Sequence, residues 1–362
     1  MQLTILLATN RSGLAASARV AQACSWASPD IEVIVRDNSG NGEKRELLAR
    51  MRSEHCNIIL AEPCDGLTNL SEILRLAQGE FIFLIADDDL FFDHAMAALP
   101  PALERIAKDP AVVGITGGYL VESGQFGSTI MAYQNVEDDD LTARVAGYLA
   151  NGGPNILHYA PVRRDIVQGT FAFMNTLPFY FSFHDQVVSL LYLLNGRFVR
   201  LNRLLYGYDL GIWQSAETAQ KRDLDYYREA GLDPAINKLH WFLCGFEGAV
   251  LARNADVFPD RPLPQRQGIA DRWFSAMFHR FRSQARLAGN SRYSGEADRL
   301  CTKLQAPAAQ LSFQNMLAEI CGLIALSSPD HAQRYNAFWS AAIAGRVPAR
   351  RFAAATAEPR VA

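Results

Sequence analysis

Three consecutive carboxylates follow a stretch of almost wholly apolar residues. Residues 80–85 read Glu-Phe-Ile-Phe-Leu-Ile, a pattern typical of a buried β-strand, and Asp87, Asp88 and Asp89 come directly after it. Adjacent carboxylates repel one another, so a cation or a network of donors must compensate them. Carboxylate oxygens suit Mg²⁺ and Mn²⁺, commonly together with substrate phosphate oxygens. We therefore predict a metal and nucleotide site here; the alternative is a solvated acidic turn that caps the next helix.

Polar residues also follow the first two predicted strands. Thr9, Asn10 and Arg11 come after the strand candidate at residues 3–8, where backbone amides and a guanidinium could meet a base or a diphosphate. Helix capping is an equally good interpretation of these three residues. Asp37 ends the second strand candidate, where its carboxylate could accept a hydrogen from a nucleobase. An ordinary Asx turn is the alternative for Asp37.

A fourth group of candidates lies about a hundred residues after the three consecutive aspartates. His184 and Asp185 open the strongly apolar helix predicted for residues 187–194. A carboxylate at the mouth of a buried helix suits a general base, and capping of that helix is the alternative. A second acidic run, residues 137–140, follows no apolar strand and precedes an amphipathic helical pattern. We interpret that run as a helix cap without catalytic function.

The elements that must position these residues alternate regularly over the first hundred positions. Strands that alternate with helices of this length favour parallel pairing, with helices on both faces of the sheet. Ligands of such sheets bind at the carboxyl ends of the strands. The predicted elements are strands at 3–8, 31–36, 57–60 and 80–85, and helices at 14–26, 43–52 and 67–77.

The rest of the chain divides into a less regular part and a helical part. Strands are predicted at residues 112–116, 198–201 and 204–208, and beyond residue 233 strand signals disappear. We therefore predict a mixed α/β nucleotide-binding sheet flanked by helices and followed by an all-helical region. The predicted domains are 1–232, with a nucleotide-sugar half at 1–99 and an acceptor half at 100–232, and 233–362.

Composition limits the class of protein. An apolar fraction of 49% with 20% charged residues is ordinary for a globular chain and excludes a disordered one. No apolar stretch approaches the roughly 18 residues of a membrane span, and the start of the chain lacks the basic region of a signal peptide. Six cysteines without a C-x-x-C pair indicate reduced thiols. We therefore expect a cytoplasmic protein.

The charge is unevenly distributed along the chain. Residues 261–362 carry 14 Lys and Arg against 6 Asp and Glu, although the whole chain has a net charge of −3. Within this basic part, residues 271–286 form an amphipathic helical pattern with aromatic residues along one side. Such a helix could contact anionic lipid, which would place the protein peripherally on the inner face of the membrane. The alternative, packing of the apolar stripe inside the protein, is the commoner fate of amphipathic helices.

Taken together, these motifs resemble the inverting, metal-dependent glycosyltransferases of family 2, which have the GT-A fold. The resemblance covers about residues 1–215, and its most specific part is the Gly-Glu-Phe-Ile block followed by the three aspartates. Two positions depart from the family pattern: Ala8 replaces a proline, and residues 208–211 lack a histidine that often contacts metal or diphosphate. The matching segments are Ala8-Thr9-Asn10-Arg11, Asp37-Asn38-Ser39-Gly40, the helix with Asn69, residues 77–84 with Asp87-Asp88-Asp89, and His184-Asp185.

The resemblance implies a role for each matched residue. Asp37 would read the base, expected to be uracil, and the segments with Thr9, Asn10, Arg11 and Asn69 would complete the nucleotide site. The other matched residues are Asp87 for the ribose or the metal, Asp88 and Asp89 for the metal and diphosphate, and Asp185 as the catalytic base. The metal ligand stays open between two interpretations. Alternation along a strand places Asp87 and Asp89 on one face, whereas the family pattern favours Asp88.

The resemblance also implies an activity and its partners. The protein would transfer a sugar from a nucleoside diphosphate sugar, with UDP as the expected nucleotide, to a hydroxyl group with inversion. The acceptor would be a glycan, a lipid-linked molecule or a protein, the cofactor Mn²⁺ or Mg²⁺, and nucleic acid would not be a partner. A sugar nucleotidyltransferase and a catalytically inactive scaffold that binds nucleotide sugars are the alternatives.

Overall fold

The computed structural model divides the chain into two compact units. It describes residues 1–123, 127–131, 136–150, 155–179, 184–209, 216–258, 261–287, 295–306 and 311–347. The first unit comprises Met1–Ala172 and Asn195–Ser215, and the second comprises Phe173–Leu194 and Ala216–Ala353.

Nine strands of the described chain form one sheet in the first unit. They are β1 (Leu3–Thr9), β2 (Ile31–Asp37), β3 (Cys56–Leu60), β4 (Phe81–Ile85), β5 (Leu90–Phe91), β6 (Val112–Ser123), β7 (Gly127–Met131), β8 (Val162–Arg163) and β9 (Arg197–Asp209). Their order is β3-β2-β1-β4-β8-β6-β9-β5, and β7 pairs with β6. The pairs among β1 to β4 are parallel, whereas β8 pairs antiparallel with both of its neighbours. The sheet is therefore mixed, as the sequence predicts.

The register of the parallel strands sets the position of the predicted site. Thr9 lies opposite Asp37 at the ends of β1 and β2, and Leu7 lies opposite Ile85 at the end of β4. All five residues of β4 are buried, as expected for a central strand covered by helices on both faces. The residues that follow β4 therefore emerge beside Thr9 and Asp37.

The second half of the sheet differs from the prediction in its detail. The two strands predicted at 198–201 and 204–208 form the single strand β9, which pairs with β6 through several irregularities in register. Gly114 on β6 allows a close approach, because a Cβ there would lie 2.4 Å from the carbonyl oxygen of Pro161. The strands β5, β7 and β8 were not predicted. Of these, β5 and β8 have two residues each, too few to form a periodic pattern.

Thirteen helices lie in the described part of the chain. The first unit contains α1 (Leu14–Ser25), α2 (Gly42–Ala49), α3 (Gly66–Leu74), α4 (Asp93–Ala107), α5 (Leu141–Ala150) and most of α6 (Arg164–Met174). The second unit contains α7 (Asp185–Asn195) apart from its last residue, and then α8 (Ala216–Glu229), α9 (His240–Arg253), α10 (Leu263–Leu287), α11 (Glu296–Gln305), α12 (Phe313–Ala325) and α13 (Pro329–Ile343). Short 3₁₀ helices span Asn155–Tyr159 and Pro234–Leu239. In its described part, the region beyond residue 233 contains helices joined by turns and no strand, in agreement with the sequence.

Helix α9 is the core of the second unit. Every residue from Phe242 to Ala252 is buried, and a helix that is apolar on all sides must be covered on all sides. Trp273 of α10 packs against it and donates from its indole nitrogen to the carbonyl oxygen of Cys244 at 3.0 Å. Gly248 makes this approach feasible, because a Cβ there would lie 2.2 Å from the indole nitrogen.

The aromatic stripe of α10 packs inside the second unit. Trp273, Met277 and Phe281 are buried, and the half-buried Phe274 and Phe278 lie against the ring of Phe242. These side chains therefore pack against protein, as the alternative interpretation of the amphipathic pattern expects. A contact of this helix with lipid stays a prediction. No helix in the described part of the chain is long and apolar enough to cross a membrane.

The division into units differs from the predicted boundary at residue 232. Residues 173–194, predicted as part of the acceptor half, group with the C-terminal helices. Residues 185–194 of α7 are all buried, so this helix has no polar face to present to water. A continuous apolar pattern indicates that a helix is covered but not which unit covers it.

Candidate functional site

Two hydrogen bonds and one ion pair link the carboxyl ends of three strands. The hydroxyl of Thr9, at the end of β1, donates to Oδ2 of Asp87, just beyond β4. The ammonium group of Lys44 donates to the same hydroxyl oxygen at 2.7 Å. Its distance to Oδ1 of Asp37, at the end of β2, is 2.8 Å. The sheet register therefore brings together three of the predicted site residues, Thr9, Asp37 and Asp87.

Lys44 lies at the centre of these contacts and was not predicted as a site residue. Its side chain is 1% exposed, and besides Asp37 and Thr9 it contacts the carbonyl oxygen of Arg11 at 2.5 Å. It comes from the first turn of α2, which Asn41 caps by accepting from the backbone amide of Lys44. A cation in the first turn opposes the helix dipole. That unfavourable placement, seven residues after Asp37, was the signal in the sequence.

Asp37 is completely buried between protein partners. Its side chain is 0% exposed, Oδ1 faces Lys44, and Oδ2 accepts from the hydroxyl of Ser39 at 3.0 Å. A nucleobase can reach this carboxylate only if the surrounding turn moves. The predicted contact between Asp37 and the base therefore stays a prediction that requires a local rearrangement.

Arg11 and Asp88 form the accessible part of the site. A guanidinium nitrogen of Arg11 lies 2.7 Å from Asp88 and 3.5 Å from Asp87. The side chains of Arg11 and Asp88 are 34% and 29% exposed, whereas that of Asp87 is 8% exposed. Arg11 thus compensates two adjacent carboxylates that would otherwise repel each other. A ligand at this edge would meet Arg11 and Asp88 first.

Opposing effects act on the pKa of the Asp87 carboxyl. Burial raises its pKa, and the neighbouring charge of Asp88 raises it further. The hydrogen bond from Thr9 and the charges of Arg11 and Lys44 lower the pKa of Asp87, but the net direction is upward. The folded protein therefore binds a proton at Asp87 more tightly than the unfolded chain does.

Asp89 has a partner on a different strand from those of the other two aspartates of the run. It is buried, and the hydroxyl of Tyr206 on β9 donates to its carboxylate. Burial and the charge of Asp89 raise the pKa of Tyr206 well above its usual range, so the phenol stays a donor. Tyr206 also stacks on Tyr159, with ring centroids 5.3 Å apart. The assignment of Asp89 as a metal ligand stays a prediction.

Two more predicted nucleotide residues lie near this edge, in different surroundings. Asn10 is exposed just after β1. Asn69 on α3 is buried: its oxygen accepts from Arg36 at 2.5 Å, and its nitrogen donates to the side-chain oxygen of Asn38 at 2.9 Å. Asn69 therefore holds the turn that follows β2, and it can act on a nucleotide through the shape of that turn.

The predicted base belongs to the second unit. Asp185 is the first residue of α7 and is 6% exposed. His184, the residue before it, is buried with its Nε2 atom 2.6 Å from Oε2 of Glu247 on α9. Glu247 was not a predicted site residue. The assignment of Asp185 as the base stays a prediction.

The second acidic run has the structural role that the sequence analysis gave it. Asp140 accepts from the backbone amide of Ala143 at 2.7 Å, in the first turn of α5. Asp138 accepts from the backbone amide of Asp140 at 2.8 Å. The interpretation of this run as a helix cap is confirmed.

We expect Asp87→Asn to stabilise the free protein at pH 7. The neutral amide avoids the cost of burying a charge, so the variant should have a higher Tm than the parent. As the pH falls through the raised pKa of Asp87, the parent takes up a proton in its folded state, and the difference should disappear. Thermal unfolding followed by circular dichroism at pH 7 and at stepwise lower pH measures both effects.

Asp93→Asn is the control with the opposite sign. Hydrogen bonds from Trp26 and then from Gln22 lower the pKa of this exposed carboxyl. That contribution to stability is present above the ordinary pKa and is lost as the pH falls below it, so the variant should have a lower Tm at pH 7. An Asp87→Asn protein that is less stable than its parent at pH 7 would show that the donors around Asp87 outweigh its burial.

Comparison with known proteins shows the fold. The chain aligns with the solved structure of S. aureus TarS 1–349 with a TM-score of 0.53 and 14% identity, over 96% of this chain and 92% of that one. TarS 1–349 in complex with UDP-GlcNAc aligns with a TM-score of 0.53 and 12% identity, over 96% and 93%. The mannosyltransferase PcManGT from Pyrobaculum calidifontis, in complex with GDP-Man and Mn²⁺, aligns with a TM-score of 0.46 and 14% identity, over 95% and 86%. No family model and no curated protein sequence matches the chain.

The class of fold is therefore established by structure. The mixed sheet flanked by helices and followed by a helical region is the predicted GT-A type fold, and TarS 1–349 shares it over nearly the whole chain. At 14% identity this similarity concerns the fold. The activity has to be argued from the site.

Proposed function

We propose that this protein is a glycosyltransferase that transfers a sugar from a nucleoside diphosphate sugar to an acceptor hydroxyl with inversion. The observation that carries the proposal is the edge of the sheet where hydrogen bonds join Asp87, Thr9 and Lys44, and an ion pair joins Lys44 to Asp37, beside the accessible Arg11. Ligands of open α/β sheets bind at this edge. The neighbour solved with UDP-GlcNAc makes UDP-sugars the first donors to test.

The accessible side chains suit a diphosphate. A guanidinium group binds phosphate oxygens through paired, charge-assisted hydrogen bonds, and Arg11 is half-buried with its guanidinium at the edge. When a diphosphate binds, Arg11 can exchange part of its contact with Asp88 for contacts with phosphate. Asp87 would then meet the ribose and Asp37 the base.

The carboxylates also fit a divalent cation. Asp88 is partly exposed beside Asp87, and the repulsion between the two favours an additional positive charge. In the described part of the chain no three His, Cys, Asp or Glu side chains converge as a complete ligand set. Mg²⁺ needs no such set, because one or two carboxylates and substrate phosphates hold it. Asp88 and the predicted Asp89 would hold Mn²⁺ or Mg²⁺, which would neutralise charge on the departing diphosphate.

In the proposed transfer, one proton moves, one bond forms and one bond breaks. The carboxylate of Asp185 takes the proton of the acceptor hydroxyl as the oxygen of that hydroxyl attacks the anomeric carbon. The bond between that carbon and the diphosphate oxygen breaks, and its electron pair leaves with the nucleoside diphosphate. A single displacement from the opposite face inverts the anomeric centre. Burial of Asp185 limits the access of bulk water to the base.

Release of nucleoside diphosphate from a panel of nucleotide sugars tests the proposal. UDP- and GDP-sugars should be compared with Mn²⁺, with Mg²⁺ and with a chelator, first without an acceptor and then with glycan, lipid-linked and peptide acceptors. We expect release of UDP from at least one UDP-sugar. Exchange of pyrophosphate into the nucleotide sugar would indicate a sugar nucleotidyltransferase, and binding without turnover would indicate an inactive scaffold.

Asp88→Asn should remove the effect of metal on nucleotide affinity. We expect UDP to bind the parent more tightly with Mn²⁺ than with a chelator, and the variant to lose about tenfold or more of that gain. Isothermal titration calorimetry measures both proteins. Asp139→Asn is the matched control, since it neutralises an 89% exposed carboxylate in the other acidic run. Equal UDP affinity of the parent with and without Mn²⁺ would show a nucleotide site that uses no metal.

A further inference from the structure

A buried carboxylate of the second unit holds the residue next to the predicted base. Oε2 of Glu247 lies 2.6 Å from Nε2 of His184, and Oε1 accepts from the hydroxyl of Tyr335 at 2.8 Å. His184, Glu247 and Tyr335 are 1%, 2% and 0% exposed. Both carboxylate oxygens of Glu247 are therefore bound in a site that water does not reach.

The two contacts fix where the hydrogens lie. Burial, and next the charge of Glu247, raise the pKa of Tyr335 well above its usual range, so its hydroxyl remains a donor. A carboxylate that accepts from Tyr335 on one oxygen is an acceptor on the other. The hydrogen between Glu247 and His184 therefore belongs to Nε2 of the imidazole. A ring nitrogen held in this way sets both the tautomer and the orientation of the histidine.

The thiol of Cys244 indicates that Glu247 and Asp185 affect the same part of the second unit. Cys244 lies one turn before Glu247 on α9 and is buried. Burial raises the pKa of its thiol well above the ordinary value, and the charges of Glu247 and Asp185 raise it further. Both carboxylates are thus close enough to Cys244 to affect its ionisation.

We infer that Glu247 is a positioning residue for the base: it fixes the imidazole of His184 and thereby the start of α7, where Asp185 lies. The inference rests on the proposed function, in which Asp185 accepts the proton of the acceptor. It gives the C-terminal helical region a part in the reaction, because α9 supplies Glu247. Glu247 touches His184 and does not itself need to contact the substrate.

Glu247→Gln separates this role from packing. The amide has the size of the carboxylate, and its oxygen can still accept from Tyr335. When the amide oxygen keeps the bond from Tyr335, the NH₂ group faces Nε2 of His184 and can only donate to it, so the neutral imidazole carries its hydrogen on Nδ1 instead. In this orientation of the amide, the variant keeps both hydrogen bonds and reverses the tautomer. We expect kcat to fall about 10- to 100-fold, as for other residues that orient a catalytic group, with unchanged KM for the donor.

The experiment combines turnover, binding and a spectroscopic signature. Hydrolysis of the most active UDP-sugar of the panel gives kcat and KM, and calorimetry gives the affinity for UDP. ¹⁵N-detected NMR of histidine-labelled protein reports the tautomer of His184, whose signals are identified with His184→Gln. Tyr227→Phe is the control, because it removes a buried hydroxyl that lies 3.2 Å from Nδ1 of His240 and leaves Glu247 intact.

The outcomes separate the inference from the proposed function. A loss of kcat in Glu247→Gln with unchanged UDP affinity and Tm, together with a changed His184 tautomer, supports the inference. Turnover within twofold of the parent, or an Nδ1–H tautomer already present in the parent, overturns the inference and leaves the proposed function standing. A parent protein that releases no nucleoside diphosphate from any sugar contradicts the proposed function itself. The tautomer measurement still reports on Glu247 in that case.

Discussion

Asp185→Asn is expected to reduce the rate of sugar transfer by about 10² to 10⁴, the usual contribution of a positioned general base. The amide cannot take the proton of the acceptor hydroxyl. The affinity for UDP should stay within about twofold, because the predicted nucleotide contacts lie among residues 9–89 of the other unit. Steady-state turnover and calorimetry on the same protein preparation measure the two quantities.

A structural role for Asp185 gives a different result. A carboxylate in the first turn of a helix contributes only about 0.3 to 1 kcal/mol through the helix dipole, and Asn replaces Asp well at helix starts. Asp165→Asn is the matched control, since this exposed aspartate lies in the first turn of α6. If Asp185→Asn turned over like Asp165→Asn, Asp185 would be a helix-start residue and the base would lie elsewhere.

Lys44→Met should lower the free energy of unfolding by about 3 to 5 kcal/mol, the usual cost of removing one partner of a buried ion pair. Lys44 and Asp37 are almost fully buried, so Asp37 would lose its cation in a place that water does not reach. The hydroxyl of Thr9 would also lose a donor, which loosens the link to Asp87. Urea unfolding followed by circular dichroism measures the change, and UDP affinity should fall with it.

Two further variants test whether the loss of stability in Lys44→Met comes from breaking a buried ion pair. Arg75→Met removes an exposed pair with Glu72, whose side chains are 72% and 46% exposed, and should change stability by less than about 1 kcal/mol. The double variant Lys44→Met with Asp37→Leu should recover much of the lost stability, because it removes the unpaired charge. A loss below about 1 kcal/mol for Lys44→Met would show that Asp37 finds other compensation.

The strands that position the candidate site could be predicted from the sequence alone. Apolar runs such as residues 80–85 mark central strands because those strands must be buried on both faces. The position of Asp37 and Asp87 at strand ends follows from the same runs, and parallel pairing brings such ends together. The capping role of residues 137–140 could also be predicted, because a helix cap depends only on local geometry.

The remaining site residues depend on contacts between distant parts of the chain. Lys44 meets Thr9 across 35 positions, His184 meets Glu247 across 63, and Tyr206 meets Asp89 across 117. No local pattern specifies such pairs, because strand register and helix packing decide them. The same reason explains why the grouping of residues 173–194 with the C-terminal helices was not predicted.

The bond that breaks in the donor is the most direct test of the central claim that this protein is a glycosyltransferase. The protein is incubated with UDP-GlcNAc and Mn²⁺ in water enriched in ¹⁸O, which serves as the acceptor, and the products are analysed by mass spectrometry. The same measurement is made for any other donor that the panel identifies. Attack on the anomeric carbon places the label on the sugar and leaves UDP unlabelled, which is the result we expect. Label in a phosphate group, with UMP or sugar phosphate as a product, would show cleavage at phosphorus and would contradict the proposed function.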